Sequence, residues 1–383
     1  MRDNIYGDLK VIGMRGCKSF IDQVDFYLRE WRSHNDDESF VFEADCPRFG
    51  SGEAKGILHN TMRGQDVYIY SDCFNHGVTY KMYGMETPMS PDDHFQDLKR
   101  TIAAIGGKAA RITVIMPMLY EGRQHKRASR ESLDCAIALQ ELVNMGVTNI
   151  ITFDAHDSRV SNAIPLTGFD NVRPTYQMLK ALVRAVPDIS LNHDDTIIIS
   201  PDEGAMSRTM YYASVLGLEL GMFYKRRNYS VIVDGKNPIE AHEYLGRDIK
   251  GKDVIVIDDM IASGESILDV SHQLKEKGAR RIFFFVTFGL FTNGFASFDK
   301  AYEERVFDKC FTTNLIYHRD GLMDREWYGE VNMCKYVALI IDTLNKNQSI
   351  GTLLNPVKKI HNILEKQNKN NQNIHGAQLK IKD

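Results

Sequence analysis

The chain has 383 residues, more than a single hydrophobic core usually serves, and this length favours two lobes. Hydrophobic residues make up 43% and charged residues 26% of the chain, proportions typical of a soluble globular enzyme. The formal net charge of -4 argues against a nonspecific nucleic-acid binder, because such a protein needs a basic excess to displace counterions.

The same composition indicates where the protein acts. No apolar stretch approaches the roughly 18 residues that a membrane span needs. The first ten residues, MRDNIYGDLK, are polar where a signal peptide has an apolar run. The six cysteines are scattered without a CxxC pair, which in a chain of this length is typical of reduced thiols. We therefore expect a cytoplasmic protein with no membrane partner.

Six short apolar runs, each closing on polar residues, are the predicted strands. They lack the polar alternation of half-exposed strands, which indicates burial on both faces, as in a parallel sheet. In chain order the runs cover residues 66–72 (DVYIYSD), 110–117 (ARITVIMP), 147–156 (VTNIITFDAH), 196–202 (TIIISPD), 253–259 (DVIVIDD) and 281–289 (RIFFFVTFG).

Amphipathic patterns between these runs predict helices. One covers residues 132–145 and stops at Gly146, and another covers residues 267–277 and stops at Gly278. The alternation of strand and helix predicts an α/β fold with right-handed crossovers.

Polar groups cluster where three of the predicted strands end, and ligands of such folds bind outside the carboxyl ends of the strands. These groups are His156 and Asp157, Asp202 and Glu203, and Asp258 and Asp259.

Residues 254–267 (VIVIDDMIASGESI) carry the most informative pattern. A loop with Ser263, Gly264 and Ser266 precedes a helix, and a small-residue loop at a helix N-terminus favours a phosphate. Asp258 and Asp259 cannot bind phosphate, but they suit sugar hydroxyls or a hydrated magnesium ion. The stretch resembles the phosphoribosyl-diphosphate motif of type I phosphoribosyltransferases and ribose-phosphate diphosphokinases.

A run of three basic residues helps to decide which of these two groups of enzymes the chain resembles. Residues 223–227 read FYKRR, and three adjacent cations repel one another unless an anion is bound, although such a run alone is usually solvated surface. The run resembles the Lys-Arg-Arg that begins the flexible catalytic loop of ribose-phosphate diphosphokinases.

Further matches follow in the order of that family and extend the resemblance from about residue 9 to residue 354. They are the FxDGE-like 49–53, the RGxDV-like 63–67, the RQ pair at Arg123 and Gln124, the DLH-like end at His156 and the SPDxGGxxR-like 200–208. The resemblance implies two doubly wound parallel-sheet lobes of the type I phosphoribosyltransferase-like fold. We expect an α/β lobe on the nucleotide side over residues 1–165, an α/β lobe with the ribose-phosphate loop over residues 166–355, and a polar, disordered tail over residues 356–383.

The resemblance also implies the reaction, in which ATP and ribose 5-phosphate give phosphoribosyl diphosphate and AMP for nucleotide biosynthesis, with Mg²⁺ as cofactor in a homo-oligomer. The implied catalytic residues are Lys225, Arg227 and His156. The implied ribose-phosphate site contains Asp258, Asp259, Ser263, Gly264 and Ser266. The implied nucleotide site contains Phe49, Glu53, Arg123 and Gln124, and the implied metal ligands are His156 and Asp202.

Several residues depart from the family pattern. Glu265 stands where the phosphate loop has a glycine, and Ser51 replaces the aspartate that helps to hold adenine from a neighbouring subunit. Residues 77–93 form an extra segment. Two alternatives stay open on the sequence, a phosphoribosyltransferase that shares only the 254–267 motif and a catalytically silent homologue that binds nucleotides and regulates a partner.

Overall fold

The computed structural model describes residues 6–32, 38–227 and 239–367. The chain forms two compact units, and each contains segments from separate parts of the sequence. The N-terminal unit comprises Met1–Pro174, Asn314–His318 and Asn332–Asn355, and the C-terminal unit comprises Thr175–Thr313, Arg319–Val331 and Pro356–Asp383.

A parallel sheet forms the centre of the N-terminal unit. Its strand order is β1-β4-β7-β8-β9 within the described residues, with every neighbouring pair parallel. The elements of this unit up to its first break are β1 (Asp8–Gly13), α1 (Lys18–Arg32), β2 (Ala44–Asp45), β3 (Ile57–Leu58), β4 (Gln65–Tyr70), β5 (Thr79–Met82), β6 (Met85–Pro88), α2 (Pro91–Ile105), β7 (Arg111–Ile115), α3 (Asp134–Asn144), β8 (Asn149–Phe153) and β9 (Gly168–Val172).

A capping box and a glycine determine where helix α2 begins and ends. Helix α2 begins at a capping box, in which the Ser90 side chain accepts from the Asp93 N–H and the Asp93 side chain accepts from the Ser90 N–H. Gly106, in the left-handed conformation, ends it.

A larger sheet forms the centre of the C-terminal unit, with the order β12-β11-β10-β13-β14-β15-β16 within the described residues. All its pairs are parallel except β11 with β12, which are antiparallel. The elements are α4 (Thr175–Ala185), β10 (Thr196–Ser200), α5 (Met206–Leu216), β11 (Glu219–Arg227), β12 (Ile239–Leu245), β13 (Asp253–Ile261), α6 (Glu265–Glu276), β14 (Arg281–Gly289), α7 (Ala296–Glu303), β15 (Lys309–Thr313) and β16 (Tyr328–Val331).

The chain then returns to the N-terminal unit with α8 (Cys334–Asn345) and α9 (Gly351–Leu354). Asn345 donates to the Asp66 carboxylate at 2.9 Å, and Arg32 donates to Asp342 at 2.6 Å. Asp66 also accepts from Arg111 at 2.7 and 2.6 Å, so the aspartate of the RGxDV-like segment anchors a helix here. These bonds explain why the units differ from the continuous ranges 1–165 and 166–355.

The prediction of a disordered tail from residue 356 is wrong for its first part. Residues 357–367 are helical, Ile360 is buried, and Gln367 donates to the carbonyl of Ile189 at 3.2 Å. Residues 368–383 lie outside the described part of the chain. In the described part, none of the helices is apolar over a length that would cross a membrane.

All six predicted strands and both predicted helices are present. The prediction of an α/β fold with parallel sheets is therefore confirmed. The extra segment 77–93 contains the hairpin of β5 and β6 and the start of α2.

Candidate functional site

In the C-terminal unit, carboxylates collect at the end of the central strand. Residues Val254 to Ile257 of β13 are buried, and Asp258 and Asp259 follow them. The neighbouring parallel strand β10 leads to Asp202 at the same edge of the sheet. The structure thus brings Asp202 near Asp258 and Asp259, which follow it by 56 and 57 residues in the sequence.

A buried cation balances part of this charge. The Arg208 guanidinium lies 3.3 Å from the Asp259 carboxylate, and both side chains are buried. Burial raises the pKa of Asp258 well above its ordinary value, and the neighbouring Asp259 and Asp202 raise it further, while Arg208 opposes them. Asp258 therefore holds its proton more readily than an exposed carboxyl, and a cation bound beside it would favour its ionised form.

The loop after β13 has a backbone that only glycine permits at one position. Gly264 is the N-cap of α6 with a φ of 87°, and a Cβ atom there would lie 2.3 Å from the Phe298 ring. The Ala262 carbonyl accepts from the Thr292 N–H at 2.9 Å, which ties the loop to the segment after β14. The loop thus holds the N-terminus of α6 in a fixed position, where backbone N–H groups favour an anion.

The other residues of this loop border the N-terminus of α6. Ser263 is partly buried, and its hydroxyl lies 3.5 Å from the Glu265 N–H. Ser266 and Glu265 are exposed, so the Glu265 side chain is not buried in the loop. Because it is exposed, its carboxylate is screened by water and does not fill the interior of the loop.

In the N-terminal unit, residues 49–53 form a tight turn. The Phe49 N–H donates to the Glu53 carbonyl at 2.7 Å, and the Gly52 N–H donates to the Phe49 carbonyl at 2.9 Å. Ser51 donates its hydroxyl to the Glu53 carboxylate at 2.8 Å. Phe49 is 54% exposed, which leaves its ring available to a ligand.

The RQ pair lies on another loop of this unit. The Gln124 amide donates to the Ser132 carbonyl at 2.8 Å, and Arg123 is exposed. The next residue, His125, places its ring 5.3 Å from that of His156, and its Nε2 lies 3.5 Å from the Asp157 carboxylate. The structure thus brings the RQ segment to the strand end that carries His156.

Two residues near the predicted sites were not among the predicted ones. Arg208 ends the SPDxGGxxR-like segment, so the motif could have indicated it. His125 directly follows the RQ pair, but nothing in the sequence indicates that it lies beside His156. In the same neighbourhood, hydrogen bonds from Arg159 hold the pKa of Asp157 below its ordinary value.

The cationic run is only partly described. Its backbone belongs to β11, where Lys225 pairs with His242 and the register shifts between Arg226 and Arg227. The side chains of Lys225 and Arg227 lie outside the described part of the structure. Among the described residues, no three His, Cys, Asp or Glu side chains are grouped so that they could hold a metal ion.

Comparisons with known proteins cover both units. Residues 9–146 match the N-terminal domain of ribose phosphate pyrophosphokinase, and residues 170–313 match a phosphoribosyl transferase domain. A ribose-phosphate pyrophosphokinase of Vibrio cholerae is 25% identical over 317 residues, which cover 82% of this chain and 91% of that protein. A ribose-phosphate pyrophosphokinase of Ureaplasma parvum is 29% identical over 236 residues, covering 60% of this chain and 68% of that protein.

A solved structure has the same fold. The crystal structure of phosphoribosylpyrophosphate synthetase from Mycobacterium smegmatis matches with a TM-score of 0.71 at 21% sequence identity. The match covers 89% of this chain and 99% of that one.

Proposed function

The chain belongs to the ribose-phosphate pyrophosphokinase family, and we propose that it transfers the diphosphoryl group of ATP to ribose 5-phosphate, giving phosphoribosyl diphosphate and AMP. A phosphoribosyltransferase is the weaker alternative, because the match over residues 9–146 is to the N-terminal domain of the pyrophosphokinases.

One observation carries this proposal. The buried strand β13 presents Asp258 and Asp259 directly before a loop whose Gly264 holds the N-terminus of α6 in place. Carboxylates accept hydrogen bonds from sugar hydroxyls, and backbone N–H groups at a helix N-terminus bind phosphate. A ribose phosphate needs both kinds of partner on one molecule, and this strand and loop offer both within nine residues.

The acidic cluster suits a magnesium ion that the substrates also bind. Magnesium takes oxygen ligands and usually keeps one or two carboxylates, several waters and substrate phosphates, so a cage of three protein ligands is not required. Burial raises the pKa of Asp258, and a magnesium ion bound beside it would favour the ionised form of this carboxylate. We propose that Asp202 and His156 serve as ligands, directly or through water. The ion would neutralise charge on the polyphosphate.

The side chains of this chain would then position the two substrates. Asp258 and Asp259 would accept from the ribose hydroxyls, and Ser263, Gly264 and Ser266 would hold the 5-phosphate. The anomeric hydroxyl attacks the β-phosphorus, the bond to the α-phosphate oxygen breaks, and AMP leaves in line. Lys225 and Arg227 would stabilise negative charge on the transferring group and on AMP, since this chemistry depends on positioning and charge neutralisation.

The nucleotide would be held by the N-terminal unit. Phe49 offers an exposed ring to the base, Glu53 lies in the same turn, and Arg123 and Gln124 lie on the loop beside His156. We also propose a homo-oligomer and a cytoplasmic location, both by analogy with the family.

A direct assay tests the proposed function. The protein is incubated with ATP, ribose 5-phosphate and MgCl₂, and the products are separated by ion-exchange chromatography. We expect AMP and phosphoribosyl diphosphate in equal amounts, with no AMP when ribose 5-phosphate is left out. Formation of ADP would contradict the reaction class. Binding of both substrates without AMP formation would support the silent regulatory homologue instead.

A further inference from the structure

The hairpin in the extra segment carries at its tip an exposed tyrosine with an unusual backbone conformation. Strands β5 and β6 are joined by a two-residue turn, Tyr83-Gly84, since Met82 pairs with Met85. Both turn residues have a positive φ, 50° at Tyr83 and 79° at Gly84, as a type I′ turn requires. Glycine and asparagine suit such positions, whereas a tyrosine there is strained. Its side chain is nevertheless 77% exposed, so no core packing compensates for the strain.

The hairpin lies directly against the turn of residues 49–53. The Tyr83 N–H donates to the Gly50 carbonyl at 2.9 Å, next to Phe49. A Cβ atom on Gly52 would lie 2.8 Å from the Met82 sulfur, so the two segments pack closely. The Arg48 guanidinium lies over the Tyr80 ring, 4.8 Å from its centroid. The hairpin is thus a support for the turn that carries Phe49.

Other bonds hold the hairpin in place. Arg15 donates to the Thr79 carbonyl at 2.8 Å at its start, and the Met89 N–H donates to the Val78 carbonyl at 2.8 Å at its end. Arg48 in turn donates to both oxygens of Asp97, at 2.8 and 3.0 Å. These bonds hold the hairpin so that the backbone of Tyr83 lies beside Gly50.

We propose that Tyr83 is a second aromatic residue of the nucleotide subsite and stacks against the base beside Phe49. The proposal rests on the proposed function, in which the turn of residues 49–53 binds the nucleotide. A strained residue that persists without a packing role points to a role in binding. Every base has a π-face, so stacking adds affinity without hydrogen-bond discrimination. Tyr83 therefore contributes affinity for adenine and guanine nucleotides alike. This affinity would compensate for Ser51, which stands in place of the aspartate that holds adenine in the family pattern.

The experiment uses a substitution that removes the ring and relieves the strain. Tyr83→Gly should raise the KM for ATP about tenfold, because stacking on one aromatic residue has about that effect. The kcat and the KM for ribose 5-phosphate should stay unchanged, and the melting temperature should not fall. Tyr83→Phe keeps the ring and should keep the KM of the wild type. Leu166→Ala, at a fully exposed position of the same unit, is the matched surface control and should change nothing.

Two further measurements separate this inference from the proposed function. Phe49→Ala should also raise the KM for ATP. In titration calorimetry, Tyr83→Gly and Phe49→Ala should bind AMP more weakly than the wild type and Tyr83→Phe do. If Phe49→Ala weakens ATP binding and Tyr83→Gly does not, the role of Tyr83 is refuted while the nucleotide turn stands. If the wild type neither binds AMP nor forms it from ATP, both proposals fail. An equal loss of affinity for ATP and GTP in Tyr83→Gly supports stacking, and a loss confined to one base contradicts it.

Discussion

The loop of residues 262–266 in the C-terminal unit and the turn of residues 49–53 in the N-terminal unit are built in different ways. The first follows a buried strand, and its backbone is held by Gly264 and the Phe298 ring. The second lies at the surface and is held by the hairpin of β5 and β6, with Phe49 and Tyr83 exposed. The comparison indicates that the proposed anion site tolerates little change in its backbone, whereas the proposed nucleotide turn depends on a neighbouring segment for its support.

The largest expected effect concerns the cationic run of residues 225–227, which belongs to neither segment. If both loops only position the substrates, Lys225→Ala should lower kcat about 100- to 1000-fold, because a cation that acts mainly in the transition state has an effect of that size. Binding of ribose 5-phosphate should stay nearly intact. Steady-state kinetics and a separate binding titration with ribose 5-phosphate measure the two effects.

The matched control for this substitution is Lys300→Ala, which removes an exposed lysine of α7 in the same unit. It should change kcat less than twofold, since exposed ion pairs contribute little. An unchanged kcat in Lys225→Ala would exclude Lys225 from the mechanism.

The rigidity of the anion loop is tested at its glycine. In Gly264→Ala the new Cβ would meet the Phe298 ring at 2.3 Å, and the residue would keep a φ of 87° that costs an L-amino acid about 1–2 kcal/mol. We expect kcat/KM for ribose 5-phosphate to fall about 100-fold, because a displacement of about 1 Å is enough for a loss of that size.

Gly278→Ala provides the control at the other end of α6. Gly278 has nearly the same φ of 88°, but its nearest neighbour is the flexible Lys250 side chain at 3.2 Å. This variant should lose stability and keep its kcat/KM. Equal losses of kcat/KM in the two variants would mean that general destabilisation, and not the loop, explains the effect.

The strands of the site could be predicted from sequence more readily than its surroundings. The run is apolar from Val254 to Ile257, so β13 and the two acids that follow were evident. The strands Lys309–Thr313 and Tyr328–Val331 were missed because they are short and mix polar with apolar residues. The return of α8 to the N-terminal unit depends on the Asp66–Asn345 bond, and an amphipathic pattern does not say which sheet a helix covers. The sequence likewise does not show that the Glu265 side chain is exposed.

Because Asp258 is buried and its pKa is raised, the free energy of unfolding should depend on pH. The pKa of Asp258 is raised in the folded protein, so the wild type loses stability as the pH rises above about 3.8 and through the raised value. Asp258→Asn has no charge to bury, and its melting temperature should exceed that of the wild type by a few degrees, more at pH 8 than at pH 5. The same variant should bind ribose 5-phosphate poorly. Asp324→Asn, at an exposed carboxylate, should show no such gain. A gain that shrinks as the pH rises would contradict the assignment of the buried charge to Asp258.

The smallest expected effect concerns the exposed residue of the otherwise rigid loop. Glu265→Gln keeps the size of the side chain and removes a negative charge near the proposed 5-phosphate. Because exposed charges interact through water, we expect the KM for ribose 5-phosphate to fall only two- to fivefold, roughly what about 1 kcal/mol of repulsion allows, and the difference to vanish at high salt. Glu276→Gln, at the last residue of the same helix, should leave this KM unchanged. A higher KM in Glu265→Gln would mean that the carboxylate binds the substrate or its cation. The glutamate in the loop of residues 262–266 would then contribute to substrate binding.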